Sequence, residues 1–348
     1  MKFDQFADKG MTGLMNLGNT CFLNSIIQIL THVYELQFLI QNPKLKFNKL
    51  PDTLLFIEWN ELRKLMFSEN CTIKPAKFVN SVQKVAKEKS FFHFAELEQN
   101  DVSEFFLFVI ETFHNALARP VNIVVKGDIM SEKDKMAKLC FELVKTTYSK
   151  NYSEIVDLFN GILVSQIKSI DSSHIYSMKP EYFTIINLAI PPDTMNVHLD
   201  ECIQYYMAGE VLDGDNQWYN ENENKKMDVR KGIVFWSLPT ILIFDFKRFN
   251  NNIQKKKTLI SFPLKELDMS NYVFGYNERN FVYTLFGICN HSGFVVGGHY
   301  TAVIKNQNGK WYEYNDTIVT EVSEENLITN KAYCLFYRRN TISLSNHL

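Results

Sequence analysis

The sequence predicts an α+β protein in which helices come first and strands follow. Up to about residue 150, apolar side chains recur at helical spacing. From about 158, the apolar runs are short, rich in β-branched and aromatic residues, and bounded by turn formers. The two patterns do not alternate, which argues against a βαβ repeat. With 348 residues, 46% of them apolar and 14% aromatic, the chain can build two or three lobes around substantial cores.

The first helix is expected directly after Cys21, where Phe22, Ile26, Ile29 and Leu30 share one face. The clearest helix is NDVSEFFLFVIETFHNALARP, whose stripe runs through Val102, Phe105, Phe106, Val109, Ile110, Phe113 and Leu117. Asp101 and Glu104 fall in its first turns, where carboxylates suit the helix dipole, and Pro120 ends the run. A third helix is expected within 134–148. LFNGILVSQIKSI and EYFTIINLAI then read as strands, followed by a short helix at 199–208. The polar GEVLDGDNQWYNENENKKMDVRKG is expected to be a surface loop or the tip of a projecting hairpin. ILIFDFKRF, FVYTLFGICNH, HYTAVIKN, KWYEYND and AYCLFYRR supply at least five further strands.

Composition narrows the function. A formal net charge of -2 gives no basic surplus, so nucleic acid is not an expected partner. The densest apolar stretch, GIVFWSLPTILIFDF, is interrupted by Ser237, Pro239 and Asp245 and falls short of the roughly 18 residues of a membrane span. MKFDQFADKG lacks the apolar core of a signal peptide. A soluble protein of a reducing intracellular compartment is expected. The six cysteines, at 21, 71, 140, 202, 289 and 334, contain no CxxC pair, so neither a thiolate zinc site nor a disulfide framework is expected, and no cofactor is implied.

The segment GLMNLGNTCFLNSIIQIL poses the chemical question. Free cysteine is usually a small buried hydrophobe. Here a loop with Gly13, Gly18, Asn16 and Asn19 precedes Cys21, and the apolar pattern starts just behind it. A cysteine in the first turn of a helix has free N–H groups nearby, which stabilise a thiolate and can donate to an oxyanion. The residues themselves leave a packed and a nucleophilic cysteine both open.

A nucleophilic thiol needs a base. Of the eight histidines, His32, His93, His114, His174, His198 and His347 have no supporting local pattern. His291 and His299 bracket HSGFVVGGH, where Gly293, Gly297 and Gly298 permit close approach or a mobile loop. Asn308-Gly309 predicts a type I′ hairpin between TAVIK and WYEY. That turn sets Ala302 opposite Asn315 and Thr301 opposite Asp316. Either residue could orient a histidine. Strict alternation puts Asp316 on the His299 face, and a bulge would reverse the choice.

Together these segments resemble the ubiquitin-specific proteases, papain-like cysteine proteases that remove ubiquitin from proteins. GLMNLGNTCFLNS is similar to the family's cysteine box, and HSGFVVGGHYTAVIK with KWYEYND to its histidine box. QNDVSEFF resembles its acidic-helix motif, and LPTILIFDFKRF with SFPLKELDMSNY the middle of its catalytic domain. The matches run in order from residue 13 to about 339.

The resemblance implies a fold with a helical thumb, a β-rich palm and projecting β fingers. It divides the chain into an extension at 1–12, a catalytic domain at 13–339 and a tail at 340–348. Within the domain the thumb is about 13–155, the fingers fall in about 160–235, and the palm is mainly 236–339. It also implies that Cys21 is the nucleophile, His299 the general base, Asn315 its orienting residue with Asp316 assisting, and Asn16 an oxyanion donor. Asp101 and Glu104 would contact the ubiquitin tail, with Gly297 and Gly298 beside the channel for its two glycines. Capping and dipole compensation would also suffice for the two acids. The segments 249–257, which includes KKK, and 291–298 resemble loops that close over that tail.

One departure concerns metal. Many family members bind zinc in the fingers through two CxxC pairs. Here those positions hold Ser169, Ser172, Asn220 and Glu223, so no four-thiolate site is expected and packing and sheet hydrogen bonds must hold the fingers. The implied activity is hydrolysis of the bond after ubiquitin's C-terminal glycine, with ubiquitin or ubiquitinated proteins as partners. The alternatives are a non-catalytic ubiquitin-binding module and a thiol protease for SUMO or another ubiquitin-like modifier.

Overall fold

A computed structural model describes residues 3–42, 45–48, 51–96, 98–192, 194–250, 252–276, 281–294 and 297–340. Asn251, Val295, Val296, His347 and residues 341–348 of the expected tail lie outside them.

The helical lobe is built from Cys21–Thr31, Pro51–Ser68, Ala76–Glu88 and Val102–Leu117, with shorter helices between. The second and third were covered by the sequence only as generally helical. Leu55, Phe56, Trp59, Leu62 and Met66 form the buried stripe of Pro51–Ser68. Asp101 caps Val102–Leu117, its side chain accepting from the backbone N–H of Ser103 and Glu104. The expected third helix is Glu132–Tyr148, started by Ser131 as N-cap.

The main sheet runs, from one edge to the other, Ile318–Val322, Trp311–Asn315, Gly297–Lys305, Val282–Phe294, Ala332–Arg339, Ile241–Lys247 and Ile186–Ala189. All neighbours are antiparallel except the last pair, which is parallel. Its central strands are apolar at nearly every position because both faces are covered. Ile241 and Ile243 pack toward the helical lobe together with Phe336 and Ile304. Their neighbours Leu242, Phe244 and Phe246 pack on the other side with Leu199, Cys202 and Ile203 of the helix Leu199–Ala208.

A second sheet, ordered Ile175–Phe183, Gly161–Lys168, Val229–Ser237 and Glu210–Leu212, projects away and carries the hairpin Trp218–Asn220/Lys225–Met227. Of the two readings for the polar segment, the hairpin is the one observed. EYFTIINLAI, expected as one strand, divides between the two sheets: Ile175–Phe183 belongs to the second and Ile186–Ala189 to the first.

Candidate active site

The cysteine loop is wound by its own polar side chains. Asn16 Oδ1 accepts from the backbone N–H of Gly18 and Thr20, both at 3.1 Å, and Thr20 Oγ1 accepts from Leu17 N–H at 2.9 Å. Gly18 and Asn19 take left-handed conformations (φ 98° and 53°), which lets the loop reverse and deliver Cys21 as the first residue of the helix Cys21–Thr31.

Cys21 is only 3% exposed. Burial raises its thiol above the ordinary value, and the charge of Asp316 adds to the effect. The backbone N–H groups of Tyr300, Phe22 and Cys21 point to the sulfur and oppose the rise without cancelling it. The sequence argument for a stabilised thiolate is therefore corrected in sign. The donors are present, but desolvation of the charged form outweighs them. The helix Cys21–Thr31 packs on the strand Gly297–Lys305, which brings Cys21 near the backbone of Tyr300, one residue past His299.

His299 is half-buried, and its Nε2–H donates to Asn315 Oδ1 at 2.8 Å. An amide oxygen only accepts, so this bond puts the ring proton on Nε2 and leaves Nδ1 as the basic nitrogen. The partner is Asn315 because the hairpin is not the expected one. Ala302 pairs with Tyr314, and Val303 with Glu313, one residue away from the type I′ register. Asn306 N–H donates to Lys310 O at 2.9 Å and Gly309 N–H to Asn306 O at 3.0 Å, closing a three-residue loop. Gly309 has φ 85°, whereas Asn308 is not left-handed as a type I′ turn would require. The extra residue moves Asn315 onto the His299 face and Asp316 off it.

Asp316 serves the other side of the site. Its Oδ1 accepts from Asn24 Nδ2 at 2.8 Å, its Oδ2 from Asn16 Nδ2 at 3.0 Å, and its backbone O from Leu14 N–H at 2.8 Å. The start of the chain is thus bound to the turn after Trp311–Asn315. Gly13 makes this approach possible, since a Cβ there would lie 2.3 Å from Thr317 O. Asn16, the expected oxyanion donor, has one amide hydrogen committed to Asp316.

Both oxygens of Asp101 are engaged: Oδ1 in the cap, at 2.8 Å from Ser103 N, and Oδ2 accepting from Tyr333 OH at 2.7 Å. Glu104 is exposed on the same first turn. Gly297 is exposed with open space around it. Gly298 is gripped by Gln99, whose amide donates to Gly298 O and accepts from Gly298 N–H, both at 3.0 Å. Beneath Asp101 lies Asp245, a buried carboxyl that accepts from Ser103 Oγ at 3.0 Å and Cys334 Sγ at 3.3 Å. Burial, reinforced by the charge of Asp101, pushes Asp245 up to about 6.

With this geometry in view, comparison with known proteins decides the family. The model of the family described as ubiquitin carboxyl-terminal hydrolase matches residues 12–337. The chain belongs to that family. Ubiquitin carboxyl-terminal hydrolase Usp2 of Drosophila melanogaster is 30% identical over 340 residues, covering 95% of this chain and 35% of that protein. Ubiquitin carboxyl-terminal hydrolase 2 of Rattus norvegicus is 29% identical over 343 residues, covering 94% of this chain and 54% of that protein. The chain therefore spans about a third and about half of the lengths of these two relatives. Among solved structures, the SAGA DUB module containing Ubp8, Sgf11, Sus1 and Sgf73 bound to monoubiquitin matches with a TM-score of 0.74. The match is 24% identical and covers 98% of this chain and 71% of that one.

In the terms of this ubiquitin-hydrolase fold, the helical lobe is the thumb, the main sheet the palm and the projecting sheet the fingers. At the fingertip, Asn220 is buried and its amide is consumed by the turn, accepting from Asn222 N–H at 3.0 Å and donating to Glu223 Oε1 at 3.2 Å. Asp171 gathers Ser169 and Ser173 in the same way. Hydroxyls, an amide and the carboxylates of Asp171 and Glu223, with no thiolate among them, do not make the four-thiolate zinc site, and among the described residues no group of three His, Cys, Asp or Glu is disposed to hold a metal. No helix among the described residues is long and apolar enough to cross a membrane.

Sequence reasoning did not single out Gln99, Asn24, Tyr300 or Tyr333. Gln99 and Asn24 are polar residues inside motifs already noted. The parts played by Tyr300 and Tyr333 depend on a backbone N–H and a phenol meeting another strand or helix, which no local pattern signals.

Proposed function

We propose that this chain is a thiol-dependent deubiquitinase acting through Cys21, His299 and Asn315. One observation carries the reading. A cysteine begins the helix that packs against the strand of a histidine whose Nε2 is held 2.8 Å from an asparagine oxygen, which leaves Nδ1 as the basic nitrogen. Because burial raises the Cys21 thiol above its ordinary value, the base is needed at the moment of attack.

His299 Nδ1 takes the thiol proton, and the Cys21 sulfur attacks the C-terminal glycine carbonyl of ubiquitin. The second Asn16 amide hydrogen and the Cys21 backbone N–H donate to the oxyanion. The C–N bond breaks as the lysine amine leaves with the proton from His299, giving a thioester. Water attacks the thioester with the same histidine as base and releases a carboxylic acid and the free thiol. Asp316 holds Asn16 and Asn24 in place and so supports the cysteine loop. Asp101, Glu104, Gly297 and Gly298 form the tail channel. Residues 13–155 act as the thumb, the fingers within 160–235 cup ubiquitin, and 236–339 supply the palm. Six free cysteines suit a reducing compartment, the cytoplasm or nucleus.

The test is a panel of C-terminally electrophilic ubiquitin, SUMO and related modifiers, run beside a ubiquitin C-terminal reporter. Labelling and turnover with ubiquitin, both lost in Cys21→Ala, are expected. Binding without turnover would turn the reading into a ubiquitin-binding module, and preferential SUMO labelling would change the substrate.

A further inference from the structure

Lys255 lies in the loop that leaves Ile241–Lys247, and His291 lies in Val282–Phe294. The Lys255 ammonium joins the two segments. It donates to His291 Nδ1 at 2.9 Å and to the His291 carbonyl oxygen at 2.6 Å. His291 is 2% exposed and sits in a box of rings, with centroids 4.6 Å from Tyr300, 5.6 Å from Tyr333 and 5.6 Å from Phe249. Its backbone N–H donates to Lys331 O at 2.9 Å.

Since an ammonium only donates, Nδ1 is the acceptor and the ring hydrogen is on Nε2. That nitrogen lies directly under Gly298: a Cβ at 298 would be 2.0 Å from it. From the other side, Gln99 makes both hydrogen bonds to the Gly298 backbone. The residue before His299 is therefore held between a ring and an amide, and the ring is held by a cation from another loop.

We infer that Lys255 is a positioning residue, which fixes His291 as a wedge beneath Gly298 and so sets the approach of the strand carrying His299. The inference rests on the deubiquitinase reading for its kinetic consequence and on geometry for the rest. Among the described residues Lys255 has no carboxylate partner, so its interaction with the two acceptors of His291 is what holds it in place. The groups around the pair are His299, the phenols of Tyr300 and Tyr333 with Asp101 behind the latter, and the cations Arg248 and Lys331. Burial, aided by Lys255 and then His299, lowers His291 to about 4, so the ring stays neutral and does not compete with His299 as a base. Burial likewise lowers Lys255 to about 8, with Arg248 and Lys331 contributing.

The experiment compares the wild-type chain with Lys255→Met and Lys255→Arg. The readouts are the NMR titration of the His291 ring, amide exchange at Gly298, His299 and Tyr300, and reporter kinetics. In Lys255→Met, His291 should titrate at least about one unit higher, because a cation in direct contact is gone. Exchange at the three amides should quicken about tenfold, and kcat should fall about tenfold with KM within about twofold. Lys255→Arg, which keeps a donor and the charge, should recover most of each change. Unchanged titration and exchange in Lys255→Met, or an equal loss in both variants, would overturn the inference. A wild-type chain inactive on the reporter would end the deubiquitinase reading instead, while titration and exchange still decide whether Lys255 sets His291 and Gly298.

Discussion

The cleft and the fingertip are both rich in polar side chains, yet they are held together in different ways. In the cleft the deciding bonds join distant parts of the chain: Asp316 to Asn16 and Asn24, Gln99 to Gly298, Tyr333 to Asp101. At the fingertip, Asp171 binds Ser169 and Ser173, and Asn220 binds Glu223, all within one turn. What links the two fingertip turns is a run of rings, with centroids 4.7 Å apart from His174 to Tyr176 and 5.9 Å from Tyr176 to Trp218. The cleft is assembled by tertiary structure and should fail as a unit, whereas the fingertip is assembled locally and should fail by parting its two turns.

The largest effect expected on this view comes from Asn315→Ala. It removes the acceptor that fixes the His299 tautomer, and kcat should drop about 100-fold with little change in melting temperature. An unchanged kcat would mean that the hairpin register does not matter to the chemistry.

Asp316→Ala should lower both activity and stability. Two side-chain amides lose their acceptor at once, at a combined cost of about 2–3 kcal/mol measured by urea unfolding. The cysteine loop should show faster amide exchange around Asn16 and Thr20. Exchange confined to the turn at 316–317 would break the claim that the cleft acts as one unit.

Asp245→Asn should act in the opposite direction and depend on pH. The folded state raises this carboxyl from 3.8 to about 6, so it binds the proton more tightly than the unfolded chain does. Stability must then fall as pH rises from about 4 to about 6, and the deficit persists at higher pH. The asparagine keeps the acceptor oxygen for Ser103 and Cys334 while removing the charge. It should be more stable than wild type by about 2–3 kcal/mol at pH 7, with the two unfolding curves converging below about pH 4.

The smallest effect is expected at the fingertip. Trp218→Ala removes the ring that meets Tyr176 and should speed amide exchange across 216–228. kcat should stay within about twofold, because no catalytic group is touched, while KM rises a few-fold. A loss of kcat would show that the two regions are coupled after all.

Local patterns made much of this legible. The stripe from Val102 to Leu117 and the run at 199–208 predicted helices that the structure contains, because an amphipathic face repeats within one turn of chain. The glycine and asparagine run before Cys21 marked a loop ending in a helix, and Asn308-Gly309 marked a turn. The turn's length was another matter. One residue more in the loop reverses which side of the strand faces His299, and that count depends on how Asn306 and Lys310 close the hairpin.

Sequence by itself determined the family resemblance, the order of helices and strands, and the identity of the thiol, imidazole and amide groups, since these follow from residue type and short-range periodicity. Tertiary structure decided the rest. Burial reversed the expected direction at the Cys21 thiol, and hairpin register chose Asn315 over Asp316 as the partner of His299. Distant hydrogen bonds gave Asp316, Gln99 and Lys255 their work. Desolvation and cross-chain contact are properties of how segments meet, and no segment carries them alone.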